Sequence, residues 1–367
     1  MKSQNLNRKN ILITPLGWGL GHAGRMIPLA LRLKEAGHNV IVAGNNDCLS
    51  LFKNETKGIG LISFPGFTMR YSEYLPTYIA ILVRIPSLII HSCQDHRILK
   101  KIINEHHINI VISDNRFGCW NKKIKSVYVT HQLRIIFPAP LRFMEPLGVF
   151  FHRLIIQKYD LCFIPDSEDT PNISGDLSHN LKLPSNIQYI GLLSRFTASG
   201  YLKKRQENSN PYITILLSGP EPQKSILKNR LINSLRTSDL KIYILEGNPG
   251  IENQNKISTK VISFNHLSSP EMRDLITGSK YIICRAGYST IMDLISLNLT
   301  ALLIPTPGQT EQEYLANHLF QNGWFTYVTQ DEENILSYLP KINNDLTSAL
   351  FVKSDELLSK AIARISE

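Results

Sequence analysis

The chain has 367 residues, 43% of them hydrophobic, and a formal net charge of +10. That is too long for one ordinary core, so two domains of about 150–200 residues each are expected. No uncharged apolar run reaches the roughly 18 residues of a spanning helix. Five scattered cysteines with no CxxC pair (Cys48, Cys93, Cys119, Cys162 and Cys284) argue against a disulfide frame or a zinc site.

The polar start MKSQNLNRKN lacks the apolar core of a signal peptide, so a cytoplasmic protein is expected. The charge is uneven. Residues 1–160 carry 21 Lys/Arg against 9 Asp/Glu, whereas residues 161–367 carry 19 against 21. A basic first half suits an anionic membrane surface, nucleic acid or a phosphorylated substrate. A lysine-rich proteome of origin would account for it equally well.

Asn10–Pro15 is a short apolar strand, GWGLGH (Gly17–His22) a glycine turn, and Met26–Ala36 has helical spacing up to Gly37. His38–Gly44 is the next strand. Further strands fall at Gly60–Phe64, Ile108–Ser113, Ser126–Thr130 and Leu161–Pro165, with a helix at Ile98–Glu105. A second series follows: strand Tyr212–Ser218, helix Gln223–Leu235, then strands Lys241–Glu246, Lys260–Phe264, Tyr281–Cys284 and Thr300–Pro305. Strand–helix alternation means parallel sheets covered by helices. The fold class is therefore α/β, with two Rossmann-like doubly wound domains facing a central cleft. The domains span 1–195 and 212–345. A polar, turn-rich linker joins them over 196–211. A helical tail over 346–367, apolar along Leu357, Leu358, Ala361 and Ile365, packs back on the body.

In such sheets ligands bind beyond the carboxyl ends of the strands. The loop GWGLGHAGR (Gly17–Arg25) follows the first strand, where glycines admit a close ligand and the next helix favours an anion. His22 in it is either a base of near-neutral pKa or a packing histidine at a helix start. Ser218-Gly219-Pro220-Glu221 is the matching loop of the second domain, readable as a phosphate cradle or as a plain turn, since Pro220 and Pro222 remove two amide donors. The richest stretch is Tyr281–Trp324. There Arg285-Ala286-Gly287-Tyr288-Ser289-Thr290 opens a helix carrying Asp293, and the loop Thr306–Thr310 leads to a helix with Gln312 and Glu313. A carboxylate one turn into a helix suits a ribose, and polar groups on the next loop suit sugar hydroxyls. Asp114, Asn115 and Arg116, and Thr130, His131 and Gln132, each follow a first-domain strand and point to the same cleft. Arg134–Ile156 mixes large apolar residues with Arg134, Arg142 and Arg153. It is either a membrane-facing patch or a core segment under a loop, and its three prolines argue against one continuous helix.

The segment from Arg285 to Glu313 resembles the donor site of two-domain GT-B glycosyltransferases, closest to family 28, which includes the lipid II-forming N-acetylglucosaminyltransferase and galactolipid synthases. The family motif R-S-G-A-x-T-x-x-E stands here as Arg285 through Thr290 with Asp293 at the acid position, and Gln312-Glu313 falls at its paired-Gln position. The resemblance implies that Asp293 binds the ribose and that Gln312 and Glu313 read the sugar. Phe264 and Asn265 would pack on the uracil, and Gly19, Gly21 and His22 match the family's N-terminal glycine loop near the acceptor. Donor contacts are thus expected from Ser218, Gly219, Phe264, Asn265, Arg285, Gly287, Ser289, Thr290, Asp293, Gln309, Gln312 and Glu313. Acceptor-side contacts are expected from Gly19, Gly21, Asp114, Asn115 and His131. Asp293 is one methylene shorter than the family's Glu, and Glu313 puts a carboxylate where an amide is usual.

The expected activity is an inverting, metal-independent transfer of a hexose or N-acetylhexosamine from a UDP-sugar to a hydroxyl, with His22 as base. No DxD motif stands at a strand end, no cofactor is called for, and no metal ligands are expected. A lipid-linked or cell-envelope acceptor fits a basic first domain acting as a peripheral membrane protein at the inner face of the membrane. Two rivals share the features: a UDP-sugar 2-epimerase on the same fold, and a basic membrane- or nucleic-acid-binding protein without catalysis. The last ranks lowest, because no surface interleaves aromatic and basic residues.

Overall fold

The computed structural model describes residues 8–66, 77–196, 210–219, 221–249, 254–342 and 354–367. Most of the linker over 196–211, together with Pro220 and residues 343–353, lies outside the described residues. The first sheet uses β1 (Asn10–Pro15), β2 (Asn39–Gly44), β3 (Gly60–Ser63), β4 (Ile110–Asp114), β5 (Lys125–Val129), β6 (Leu161–Ile164) and β7 (Ile187–Tyr189). Its order is β3-β2-β1-β4-β5-β6-β7, every pair parallel. Helices α1 (Leu20–Glu35), α2 (Asn46–Glu55), α3 (Thr77–Glu105) and α4 (Glu145–Ile156) connect these strands.

The second sheet uses β8 (Tyr212–Leu216), β9 (Lys241–Leu245), β10 (Gln254–Lys256), β11 (Val261–Phe264), β12 (Tyr281–Cys284), β13 (Leu302–Leu303) and β14 (Thr326–Tyr327), in the order β10-β11-β9-β8-β12-β13-β14. Only the edge pair β10–β11 is antiparallel. Its helices are α5 (Gln223–Ser234), α6 (Ser269–Thr277), α7 (Tyr288–Ser296) and α8 (Thr310–Gln321). Strand order reverses between β1 and β4 in one sheet and between β8 and β12 in the other. Those are the switch points where an open α/β sheet presents a crevice.

Several elements differ from the sequence reading. Helix α1 begins at Leu20 and not at Met26, because Gly19 at φ 72° completes the turn and frees the next residue to enter the helix. His22 and Arg25 are therefore helical and one turn apart. The helix expected at Ile98–Glu105 is the end of α3, which starts at Thr77 and continues through Pro86. Helix α2 has a polar cap but no clear apolar period; Asn45 accepts the Cys48 amide at 3.0 Å to start it. As expected from its prolines, Arg134–Ile156 is not one continuous helix, but a helix still forms in its second half. Pro138 precedes a 3-10 turn (Ala139–Met144), and Pro146 stands in the first turn of α4, where its missing N–H is not needed.

A buried cluster joins the two domains: Ile173, Leu177, Leu192 and Phe196 of the first part pack with Leu216, Ala286, Tyr288, Ile291 and Leu315 of the second. The tail helix α9 (Ser354–Ser366) returns to the first domain. Leu358, Ala361 and Ile365 join the core of β1, β2 and α1. Ser354 Oγ accepts the Leu192 amide, and Ser366 Oγ lies 2.8 Å from His38 Nε2. Leu358→Ala is expected to lower stability by about 2–5 kcal/mol in urea unfolding, because its side chain is only 3% exposed.

Candidate active site

The site begins at the switch point of the first sheet. β1 and β4 are in register at Pro15 and Asp114, so the loop after β1 lies beside the end of β4. Asp114 is 0% exposed. Such a carboxylate needs partners, and two come from α1, three residues apart on one helical face. Arg25 donates from Nε to Asp114 Oδ2 at 2.9 Å and from its terminal Nη2 to Oδ1. His22 Nδ1 stands 3.0 Å from Asp114 Oδ2. Burial alone would push the Asp114 carboxyl up, but Arg25 and His22 outweigh it and hold the group at about 2.

An ionised Asp114 sets the imidazole tautomer. Nδ1 of His22 carries the proton and donates it to the carboxylate. Nε2 is then the lone-pair nitrogen, and it has no partner among the described residues. Arg25 Nη2 also lies 2.9 Å from His22 Nδ1. With both nitrogens bearing hydrogen, that contact is a neighbouring positive charge and not a hydrogen bond.

The chain of contacts continues across the cleft. Arg25 Nη1 donates to His131 Nδ1 at 2.8 Å, so His131 carries its proton on Nε2 and donates it to Glu311 Oε1 at 2.8 Å. Burial lowers the His131 pKa and keeps the ring neutral beside Arg25. Burial alone would raise the Glu311 carboxyl, but the hydrogen bond from His131 and the more distant charge of Arg25 hold it below its ordinary range. Tyr288 stacks on His131 with centroids 4.1 Å apart and donates its hydroxyl to the Pro165 carbonyl at 2.9 Å.

On the second domain, α7 starts at the other switch point. Its N-cap is Gly287, which offers no side-chain cap, and its first turn contains no acid. Uncapped amides at a helix start are an anion site. This helix start meets that of α1: Ser289 Oγ donates to the Gly21 carbonyl at 2.9 Å, and a Cβ on Gly21 would come within 3.2 Å of that hydroxyl. The other edge of the cleft is also joined, since Glu55 of α2 accepts the Ser269 amide at 3.2 Å.

The remaining expected residues are spread over this frame. Gly19 is exposed and left-handed, while Asn115, at φ 53°, accepts from the Tyr128 hydroxyl at 3.1 Å. Ser218 is half-buried and Gly219 is exposed at φ 96°. Phe264 packs against the interdomain cluster, and the Asn265 carbonyl accepts the Asn248 amide at 2.7 Å. Thr290 is half-buried in the first turn of α7, and Gln309 stands at the N-cap of α8 without a side-chain capping bond.

Four side chains have partners that the sequence did not indicate. Arg285 is 0% exposed and donates to the carbonyls of Ile304, Pro305 and Gln223 and to Gln330 Oε1. It ties the end of β13 to the start of α5, with no carboxylate in ion-pair range among the described residues. Burial pulls its pKa down to about 10, so it keeps its charge at neutral pH. Asp293 accepts from Ser194 Oγ at 2.6 Å and Arg195 Nε at 3.1 Å, which uses both of its oxygens. Gln312 Oε1 accepts the Thr306 amide and Glu313 Oε1 the Gly308 amide, at 2.9 and 2.8 Å, so both brace their own loop. Glu311, one position earlier, is the α8 acid that reaches across the cleft.

The sequence reading did not single out Arg25 or Glu311. The spacing of His22 and Arg25 on one helix face was the available signal for Arg25. Glu311 had none beyond its place in the first turn of α8.

Residues 226–366 match the glycosyltransferase family 28 C-terminal domain. Over most of its length the chain is similar to an uncharacterized glycosyltransferase of Methanosarcina acetivorans, 22% identical and covering 88% of this chain and 87% of the relative. A second, from Methanosarcina mazei, is also 22% identical with the same coverage. Among solved structures, the calicheamicin glycosyltransferase CalG4 superposes with a TM-score of 0.62 at 11% identity, over 98% of this chain and 97% of that one. The spinosyn rhamnosyltransferase SpnG, complexed with thymidine diphosphate, gives 0.61 at 14% identity, over 97% and 99%. The two facing sheets and the second-domain match thus define a glycosyltransferase of the GT-B class. Its second domain is of the family 28 type.

The Asp114 geometry has a measurable consequence for acid stability. A carboxyl depressed in the folded state stabilises fully above its unfolded value, about 3.9, and loses that contribution as pH falls towards about 2. Urea unfolding followed from neutral pH down through this window is expected to show that loss in the wild type. Asp114→Asn should be less stable at neutral pH and show a shallower acid dependence.

Proposed function

We propose that the protein is an inverting glycosyltransferase in which His22, oriented by Asp114, removes the proton of an acceptor hydroxyl as that oxygen attacks the anomeric carbon of a nucleotide-diphosphate sugar. The observation that carries this reading is the meeting of two unlike sites. A histidine with its lone pair at Nε2 stands at the start of α1, and the uncapped start of α7 lies one hydrogen bond away. A hydroxyl gains nucleophilicity from a base that takes its proton, and the departing diphosphate gains from oriented amides. Arg285, buried two residues before Gly287 and with no carboxylate in ion-pair range among the described residues, adds a fixed positive potential on the diphosphate side.

The donor base would lie along Phe264 and Asn265, its diphosphate at Gly287–Thr290, and its sugar between Glu311 and His22. The preference for UDP rests on the family resemblance; SpnG supports a nucleoside diphosphate more broadly, its complex holding thymidine diphosphate. A ribose bound by Asp293 would share a carboxylate already engaged by Ser194 and Arg195. The same contacts make Asp293 a strut between the domains. The transfer reading is favoured over the 2-epimerase by the Arg285–Gln312 pattern, which fits transferases better; conversion of a UDP-sugar to its epimer without any acceptor would reverse that choice.

The test takes two steps. A thermal-shift panel of UDP, TDP and their sugars identifies the donor, since a ligand of the folded state raises apparent stability. Turnover of that donor is then compared in wild type and His22→Asn. The variant is expected to retain nucleotide binding and lose kcat by about 10²–10⁴-fold. Full activity in the variant would remove His22 from the mechanism.

A lipid-linked acceptor is supported by a second observation. Leu147, Phe150, Phe151 and Leu154 form one face of α4 and are each 42–55% exposed, with Phe143 at 77% just before them. Arg142 and Arg153 flank this face, while His152 and Ile156 anchor the opposite side. An apolar helix face bordered by arginines suits the surface of an anionic bilayer. Among the described residues no helix is long and apolar enough to cross a membrane. Sedimentation with phosphatidylglycerol vesicles is expected to pull down the wild type, with phosphatidylcholine vesicles doing so less. The Phe150→Glu/Phe151→Glu pair should stay in the supernatant; equal sedimentation of this variant would exclude α4 as the contact.

A further inference from the structure

We propose that Arg25 is a positioning residue for His22: it holds Asp114 in place for the imidazole and keeps that imidazole in its neutral, proton-accepting form. The inference rests on the reading of His22 as the base but is tested without turnover. Arg25 reaches no reacting atom. Its fork is divided between Asp114 in its own domain and His131, which is in turn bonded to Glu311 of the other domain.

The charges around His22 come from each element packed there. Arg25 stands on α1, Asp114 ends β4, His131 follows β5, and Glu311 lies in the first turn of α8. Tyr288 of α7 covers His131 and is uncharged. A histidine paired with a lone carboxylate is drawn towards the imidazolium, which is useless as a base. Here Arg25 shares that carboxylate and sets its own charge 2.9 Å from His22 Nδ1. Both effects oppose protonation of the ring. The carboxylate is left to do what the reaction needs, which is to fix the Nδ1–H tautomer and aim Nε2 at the acceptor.

Glu311 extends the arrangement across the cleft. It accepts from Nε2 of His131, which leaves Nδ1 of that ring as the acceptor for Arg25. A His131 with the opposite tautomer would confront Arg25 with another N–H. The donor-side helix therefore sets the hydrogen-bond direction that anchors Arg25. That ties the anchoring of Arg25 to the contact between the two domains.

The experiment follows the ring protons of His22 by NMR as a function of pH, assigned by their absence in His22→Asn. Wild type is compared with Arg25→Met and Arg25→Lys. Arg25→Gln, which keeps a donor for Asp114, stands in if Arg25→Met does not fold. Removing the positive charge is expected to raise the His22 midpoint by about one pH unit or more, and Arg25→Lys to bring it back near the wild-type value. A folded neutral variant with an unshifted midpoint would overturn the role of Arg25, whatever its activity. Full turnover by His22→Asn would overturn the base reading and leave the titration result standing, so the two failures are distinguishable.

Discussion

The carboxylate of Asp114 is the constraint around which the site is arranged. It has no exposure to solvent, so its charge must be met within the protein. Removing one partner from such a buried pair costs about 3–5 kcal/mol, which ties the start of α1 to the end of β4. Because Gly19 turns the chain early, α1 begins soon enough to place His22 and Arg25 on that carboxylate together. The orientation of the candidate base is thus a by-product of satisfying one buried charge.

The same need passes from residue to residue. Arg25 has more donors than Asp114 accepts, and His131 takes one of them. His131 then has a proton to place, and Glu311 of the other domain receives it. Each step satisfies a buried polar group, and together they cross the cleft. The apolar cluster of Ile173, Leu177, Leu192 and Phe196 with Tyr288 and Ile291 supplies the area that holds the domains close enough for those bonds to form. α9 contributes from the far end of the chain by completing the core under α1. A helix distant in sequence thereby supports the element that carries the base.

Much of the fold was legible in the residues. Strands such as Asn10–Pro15, Tyr212–Leu216 and Tyr281–Cys284 are apolar runs ended by turn formers, a local signal. Their alternation with helices implied two parallel sheets, and the glycine loops fell at the strand ends. Elements without a strong period were harder to see. α2 rests on a cap, β14 is two residues long, and α4 was obscured by prolines that turned out to stand at its start. Within the site, His22, Asp114 and His131 were legible as polar residues after first-domain strands.

By itself the sequence determined that two parallel sheets face each other and that polar loops line the gap, since burial periods and turn chemistry act over a few residues. Which side chains of those loops meet was decided only by the tertiary structure. His131 and Glu311 are 180 positions apart, and Arg25 and Asp114 are 89. Nothing in a local pattern shows that Asp293 is held by Ser194 and Arg195, or that Arg285 is spent on carbonyls. Nor does it show that Glu311, and not its neighbours Gln312 and Glu313, reaches the cleft. A one-residue step on a helix turns a side chain by about 100°, so the choice among adjacent residues rests with the packing of α8 against the first domain.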